Sequence, residues 1–370
     1  MSRSRTLLVT GLVTLLAAPA AVAAVPADFV GIESPETLSY VYSGDTDAAR
    51  ANIAAQGAIG IHIHRQQFNW DSMLQPNGKL DFSKHDAYVG QMAAAGLRVL
   101  PVLFDAPKAQ TAGKDNPAGG IFGRPKSGKA LGQFGVAVIK RYGPKGSFWK
   151  ANPDIPKLPI RSYQIWNEPN LRYYWGDRPN AKQYVAVLKG AYQVMKKADK
   201  KAEIVTAGIP DSTTRRSIPL RKYLAQMYKA GAKKWFDTMG FNAYAANSKD
   251  LSNKIKLIRS RMAKAGDKRA KLWITEIGWA DKGKKSGAGK YLVKGAKGQA
   301  SEITKAIALM KKQRKKRNLR GFIYFQWQDP AQSNRAGLSI DIWGFHAGLR
   351  KKDGSPKPAY KAFKVAVAKL

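Results

Sequence analysis

The sequence predicts an α/β protein folded as a single-domain (β/α)8 TIM barrel, and three observations carry that expectation. Short apolar, β-prone runs alternate with amphipathic stretches eight times along the chain. Neither a linker nor a repeat of about 20 to 50 residues interrupts the alternation, so residues 25–370 read as one domain. Two of the runs, Gln164-Ile165-Trp166-Asn167-Glu168 and Trp273-Ile274-Thr275-Glu276, end on a carboxylate and break at once into turn residues. A barrel strand presents a reactive group at its C-terminal rim in that way. An open doubly wound sheet would instead carry a nucleotide-binding glycine pattern after strand 1, and Gly31-Ile32-Glu33-Ser34-Pro35 is not one.

In chain order, Asp28 to Glu33 is strand 1, and a helix from Asp47 to Gln56 comes next, opened by Asp45 or Thr46 and stopped by Gly57. Strand 2 spans Ile59 to Gln66, with alternating residue types through Ile61-His62-Ile63-His64-Arg65. His62 and His64 share a face there. With no carboxylate spaced to complete a ligand set, they read as packed strand histidines, and no metal is expected. Ser83 caps a helix to Ala95 that Gly96 ends, and Arg98 to Phe104 is strand 3, although Pro101 lacks the amide a ladder uses. After a Gly/Lys/Pro-rich loop over 105–126 come a helix through Gln133 to Tyr142 and strand 4 at Arg161 to Glu168. A helix from Ala181 to Ala198, strand 5 at Glu203 to Ile209 and a helix from about Pro219 continue the alternation. Strand 6 is Thr238 to Tyr244, the next helix Leu251 to Ala265, and strand 7 Lys271 to Glu276. A Lys/Gly-rich loop over 281–297 leads to helix 7, strand 8 at Gly321 to Trp327 and a last helix from Pro358 to Ala368.

Composition bounds the rest. The chain has 370 residues, 44% of them hydrophobic, enough to bury the core of one large barrel. Arg3 and Arg5 precede an apolar run from Leu7 to Leu16, and Ala21-Val22-Ala23 or Val22-Ala23-Ala24 offers a small-residue cleavage site, so residues 1–24 read as a signal peptide and the mature chain as secreted. That run falls short of the roughly 20 residues that span a bilayer, so no transmembrane anchor is expected once the leader is removed. Without cysteine, neither disulfides nor thiol nucleophiles are available. Sixty-four Lys and Arg against 25 Asp and Glu give a net charge of +39, which loss of Arg3 and Arg5 with the leader lowers by two. Such a surface attracts anionic polymers, an acidic glycan or an anionic cell wall among them. The densest run, Lys311 to Arg317, closes a helix, where cations are favoured and long basic side chains stay in water. The chain lacks zinc-finger spacing, a phosphate-binding glycine loop and an aromatic-basic RNA signature, so no specific nucleic-acid site is expected.

Two carboxylates at one rim suit the cleavage of an acetal, which needs a proton for the leaving oxygen and negative charge opposite the oxocarbenium centre. Glu168 and Glu276 are the candidate catalytic pair, working without a cofactor on a carbohydrate. Asn167 is suited to hold a sugar 2-hydroxyl, and Arg65, at the end of strand 2, to steady the Glu276 carboxylate. Sugar rings stack on aromatic planes, and Tyr173, Tyr174, Trp175, Trp279, Trp327 and Trp343 all fall on stretches expected at the catalytic end. Trp175 and Trp279 are the individual candidates for that cleft. A non-catalytic carbohydrate-binding barrel attached to anionic wall polymers, or a transglycosylase using the same two carboxylates, are the alternatives.

Trp166-Asn167-Glu168-Pro169-Asn170, Thr275-Glu276-Ile277-Gly278-Trp279 and Phe325-Gln326-Trp327, on strands 4, 7 and 8, resemble clan A glycoside hydrolases, the retaining (β/α)8 enzymes, and the family 39 type among them. The resemblance runs from about Val30 to Phe363 and includes Arg65 to Trp70 and Lys357-Pro358-Ala359-Tyr360. It implies that Glu168 is the acid/base and Glu276 the nucleophile of a double displacement on a β-linked poly- or oligosaccharide. It further implies that Trp327 floors the site of the reacting sugar and that Tyr244 hydrogen-bonds the nucleophile. On strand 6 such enzymes often carry His-x-Tyr where this chain has Asn242-Ala243-Tyr244, which puts the substrate in doubt rather than the reaction.

Overall fold

The computed structural model describes residues 25–112, 122–330 except 177, 213, 215 and 288, and 342–370. The expected signal peptide lies outside the described residues. Eight strands, β1 (Val30–Glu33), β2 (Ile63–Asn69), β3 (Arg98–Phe104), β4 (Ser162–Asn167), β5 (Glu203–Gly208), β6 (Thr238–Asn242), β7 (Lys271–Ile277) and β8 (Leu319–Phe325), close into one barrel. Each pairs in parallel with its neighbours in the chain, and β1 pairs with β8 to complete the ring. Helical crossovers between successive strands leave a parallel sheet as the outcome. Among the described residues no helix is long and apolar enough to cross a membrane.

The register brings the C-terminal ends of the strands level. Glu33 lies opposite both Arg65 and Phe325, Asn167 opposite Gly208, and Asn242 opposite Glu276. The polar residues of the sequence motifs thus share one rim. Below them Ile63, Leu100, Val205, Trp273 and Ile323, from five different strands, form a separate apolar cluster. This filling is tight enough to dictate a glycine. A Cβ on Gly31 would stand 2.3 Å from Ile323 Cδ1 and 2.6 Å from Ile63 Cγ2.

Several boundaries differ from expectation. The β2 ladder starts at Ile63, not Ile59, so His62 is exposed ahead of the strand and does not pack beside His64. His64 is buried, 2.6 Å from the Tyr88 hydroxyl through Nδ1, and burial pushes its pKa down to about 3, which keeps the ring neutral. Strand β8 ends at Phe325 rather than Trp327. The β1 crossover holds a helix, Pro35–Ser43, that apolar periodicity does not reveal. Its ends are nonetheless written in the sequence, with Ser34 Oγ accepting from the Thr37 amide, Pro35 in the first turn and Gly44 at φ 81° closing it. Within the loop after β3, Thr111–Ala112 and Arg124–Pro125 pair as a short antiparallel ribbon. Lys311, Lys312, Lys315 and Lys316 lie near the end of helix Gly295–Arg317, where helix polarity favours cations, and all four are exposed there.

Candidate active site

The rim geometry starts from a backbone distortion. Regular alternation would send Asn167 and Glu168 to opposite faces of β4. Trp166 and Glu168 instead adopt left-handed φ values of 72° and 43°, which non-glycine residues hold only where their surroundings over-determine them. Both polar side chains then reach the same partner. Asn242 Nδ2 donates to Glu168 Oε1 at 2.7 Å and to Asn167 Oδ1 at 3.4 Å. Strand β7 does the equivalent with a register shift against β6 between Phe241 and Asn242. Consecutive residues there both turn to polar partners at the rim. Thr275 Oγ1 donates to Asn242 Oδ1 at 2.8 Å, and Glu276 Oε1 forms an ion pair with Arg65 Nη1 at 2.9 Å. Space for Asn242 comes from Gly208, where a Cβ would stand 1.9 Å from its Oδ1.

Arg65 is the hub. It is fully buried, and all of its nitrogens are engaged. Nη1 contacts Glu33 Oε2 and lies 2.9 Å from Glu276 Oε1, Nη2 donates to Asn167 Oδ1 at 2.9 Å, and Nε donates to Gln164 Oε1 at 2.9 Å. The two carboxylates outweigh burial and hold the guanidinium charged. The Tyr244 hydroxyl donates to Glu276 Oε2. Glu276 is therefore held by one ion pair, to Arg65, and one hydrogen bond, from Tyr244.

Glu168 has the opposite setting. Its burial pushes the pKa up to about 8, the negative charge of Glu276 adds to the rise, and the Asn242 hydrogen bond and the positive charge of Arg65 only partly oppose it. Two carboxyl groups in one cleft, one held protonated and one tied to Arg65, is the division of labour that separates an acid from a base. Burial likewise lifts Glu33 to about 7 against the pull of Arg65, with Glu276 adding to the rise.

These groups line a cleft of about 440 Å³ at the C-terminal end of the barrel. Its aromatic walls are Tyr174, Tyr244, Tyr291, Phe325 and Trp343. Tyr291 is exposed at the mouth, and Trp343 packs on Tyr244 and Phe325. Tyr173 is exposed outside this lining. The three tryptophans expected in the cleft, Trp175, Trp279 and Trp327, are elsewhere, each fully buried. Trp175 closes a one-turn helix, Arg172–Trp175, that carries its ring inward against Trp166 and Tyr184, with Nε1 donating to Gln183. Trp279 donates to the Ala245 carbonyl at 2.8 Å inside the packed body. Trp327 lies two residues beyond the end of β8 and packs against Tyr360 and the Arg350 guanidinium, so Phe325 is the strand-8 aromatic in the cleft. Glu33, Phe325 and Tyr291 do not stand out as site residues from the sequence motifs. For Glu33 a signal was present, since Val30-Gly31-Ile32-Glu33-Ser34-Pro35 is itself an apolar run ending on a carboxylate before turn residues.

Elsewhere, Asp281, Asp329 and His346 bring ligand-type atoms within 4.8 Å of one another. Lys357 Nζ, 2.7 Å from Asp281 Oδ1 and 2.6 Å from Asp329 Oδ2, supplies the positive charge there. A second groove of about 340 Å³ lies at the opposite end, beside Pro26, Ile59, His62 and Val367, and no acidic side chain lines it among the described residues.

The fold and its rim define a (β/α)8 barrel with paired carboxylates in a C-terminal cleft. No sequence-family model matches the chain, and no curated protein does. Solved structures do. A family 39 glycoside hydrolase from Bacteroides cellulosilyticus WH2 superposes with a TM-score of 0.60 at 17% identity, over 93% of this chain and 64% of that one. A monomeric beta-xylosidase from Caulobacter crescentus CB15 gives 0.62 at 17% identity, over 91% and 67%. A family 39 enzyme from Xanthomonas axonopodis pv. citri gives 0.64 at 15% identity, over 92% and 66%. At these identities the likeness is one of fold, and the chain spans about two thirds of the length of each.

Proposed function

We propose that the protein is a retaining glycoside hydrolase that cleaves β-linked poly- or oligosaccharides by double displacement. The observation that carries this is the convergence of Glu168 and Glu276 in one cleft, the first with its pKa raised to about 8 and the second bound by Arg65 and Tyr244. Family 39 glycoside hydrolases among the fold neighbours support the reading. In the first step Glu276 attacks the anomeric carbon while Glu168 gives its proton to the departing glycosidic oxygen, leaving a glycosyl ester on Glu276. In the second, Glu168 takes a proton from water, which attacks the same carbon and frees Glu276. Asn167 Oδ1 already accepts from Arg65 and Asn242, so its amide NH2 is the group left to donate to the sugar 2-hydroxyl.

Export through the leader, with the basic surface holding the mature protein to anionic wall polymers, completes the proposal. Digestion of a glycan panel read by product mass tests the catalytic part, with β-xylosides as a first arm because one fold neighbour is described as a beta-xylosidase. Glu168→Gln and Glu276→Gln are each expected to abolish turnover of a natural glycan. Wild-type rates in either variant refute the reading. Retention on an anionic polymer that does not fall with added salt refutes the attachment.

A further inference from the structure

Double displacement by Glu168 and Glu276 leaves the other two carboxylates of the cleft, Glu33 and Asp211, without a task, and any role for Glu33 in sugar recognition rests on the glycosidase reading. Glu33 ends β1 and lines the cleft with its neighbours Pro35, Gln67 and Phe325. Only 8% of the residue is exposed, and its Oε2 is held by Arg65. Its Oε1 has no hydrogen-bond partner among the described residues and keeps access to the cleft, where a ligand donor can reach it. The charges around it share a sign. Glu33, Glu168, Asp211 and Glu276 line the cleft, and among the described residues no Lys, Arg or His does. Arg65 lies beneath with every nitrogen engaged, and Lys254 contacts Asp250, Asp211 and the Tyr244 carbonyl. The cleft is acidic although the chain carries +39.

We propose that Glu33 is a specificity-determining residue: its free carboxylate oxygen accepts a hydrogen bond from a hydroxyl of the sugar bound over Glu276, and its charge rejects a uronic acid there. The reacting sugar is therefore a neutral one. The acidic glycan that net charge alone suggested is a ligand of the outer surface and not of the cleft. Two like charges about 5 Å apart at an effective dielectric constant near 20 repel strongly, and protonation of Glu33, whose pKa is about 7, limits the resulting loss of binding to about twofold at pH 7 and about thirtyfold at pH 8.5. A site built to hydrogen-bond a sugar hydroxyl also discriminates against a ligand that cannot donate there.

The test uses pairs of 4-nitrophenyl β-glycosides that differ only in the oxidation of C6, glucoside against glucuronide and galactoside against galacturonide. Wild-type kcat/KM, measured at pH 8.5 where Glu33 is ionised, is expected to favour the neutral member by about thirtyfold. Glu33→Gln is expected to narrow that ratio at least tenfold. Any effect of the substitution on Glu276 through Arg65 falls on both members of a pair and cancels in the ratio, so a purely positioning role would leave the ratio unmoved. A wild-type preference for the uronide, or an unchanged ratio in Glu33→Gln, overturns the proposal. Failure of the glycosidase reading is separately visible, as turnover that survives in Glu276→Gln or as no turnover at all. In that case saturation-transfer NMR of glucose against glucuronate on the wild-type protein still decides Glu33, and glucuronate bound equally or better overturns it.

Discussion

Replacing Arg65 with Met removes the one cation that two buried carboxylates share. The contact with Glu276 Oε1 at 2.9 Å corresponds to about 5–6 kcal/mol at an effective dielectric constant of 20, and Glu33 contributes a second such contact. Removal also recovers the several kcal/mol spent on desolvating the guanidinium, so a net loss of about 3–5 kcal/mol is expected. At about 2.1 cal/mol/K of unfolding entropy per residue, that loss lowers the Tm of a chain this long by about 4–7 °C. The loss depends on pH in a defined direction. The folded pKa of Glu33 is about 7, above its ordinary value of 4.5, and removing Arg65 raises it further. Stability from a group with a raised pKa is fully present below the unfolded value and is lost as pH rises through the folded one. The Tm gap between wild type and variant should therefore be small at pH 5.5 and widen as pH rises past about 7 to pH 9. Adding Glu33→Gln to Arg65→Met should recover part of the gap, because one unpaired carboxylate is then gone. Scanning calorimetry at the two pH values measures all of this. A gap under about 1 °C at pH 9, or one equal at both pH values, would refute the reasoning.

Four further outcomes are expected from the same geometry. The kcat/KM of the wild type should fall as pH rises through about 8, where Glu168 loses the proton it must deliver, and Asn242→Ala should move that limb upward, because the donor that favours the carboxylate is removed; a pH–rate profile of both proteins checks it. Gly208→Ala places a methyl group on Asn242 Oδ1 and should lower kcat at least tenfold while costing about 1–3 kcal/mol in a denaturant melt. Trp175→Ala and Trp279→Ala should destabilise the fold by about 3–5 kcal/mol with KM unchanged, whereas Trp343→Ala and Tyr291→Ala should raise KM with Tm nearly unmoved. Lys357→Met strands Asp281 and Asp329, both largely buried, and should cost about 3–5 kcal/mol, read as a fall in urea midpoint.

The strands and their order were legible because each is a short apolar run, and eight such runs with helices between them close in only one common way. Glu168 and Glu276 were legible because a carboxylate at the end of a buried run has no packing reason to be there. Glu33 meets the same criterion, since its setting in β1 is of the same kind. What periodicity does not encode is the direction of a side chain past the end of a strand. Trp175 turns inward because its helix stops after one turn at Gly176, whose φ is 74°. Trp327 turns away because β8 ends two residues earlier than apolar character suggests. The left-handed residues on either side of Asn167 are Trp and Glu, types that do not announce such a conformation, so the joint hold of Asn242 on Asn167 and Glu168 is visible only in three dimensions. Net charge likewise does not report the lining of the cleft, since it sums the whole surface whereas the cleft is lined by carboxylates.

A covalent bond between Glu276 and the anomeric carbon is the step on which the proposed activity depends. Incubation with the 2-deoxy-2-fluoro glycoside of the sugar that the panel identifies, followed by intact-mass and peptide mapping, observes that bond directly. The expected result is a stoichiometric adduct on the peptide containing Glu276, absent from Glu276→Gln. An adduct on another residue, or inhibition with no covalent mass gain, would contradict it.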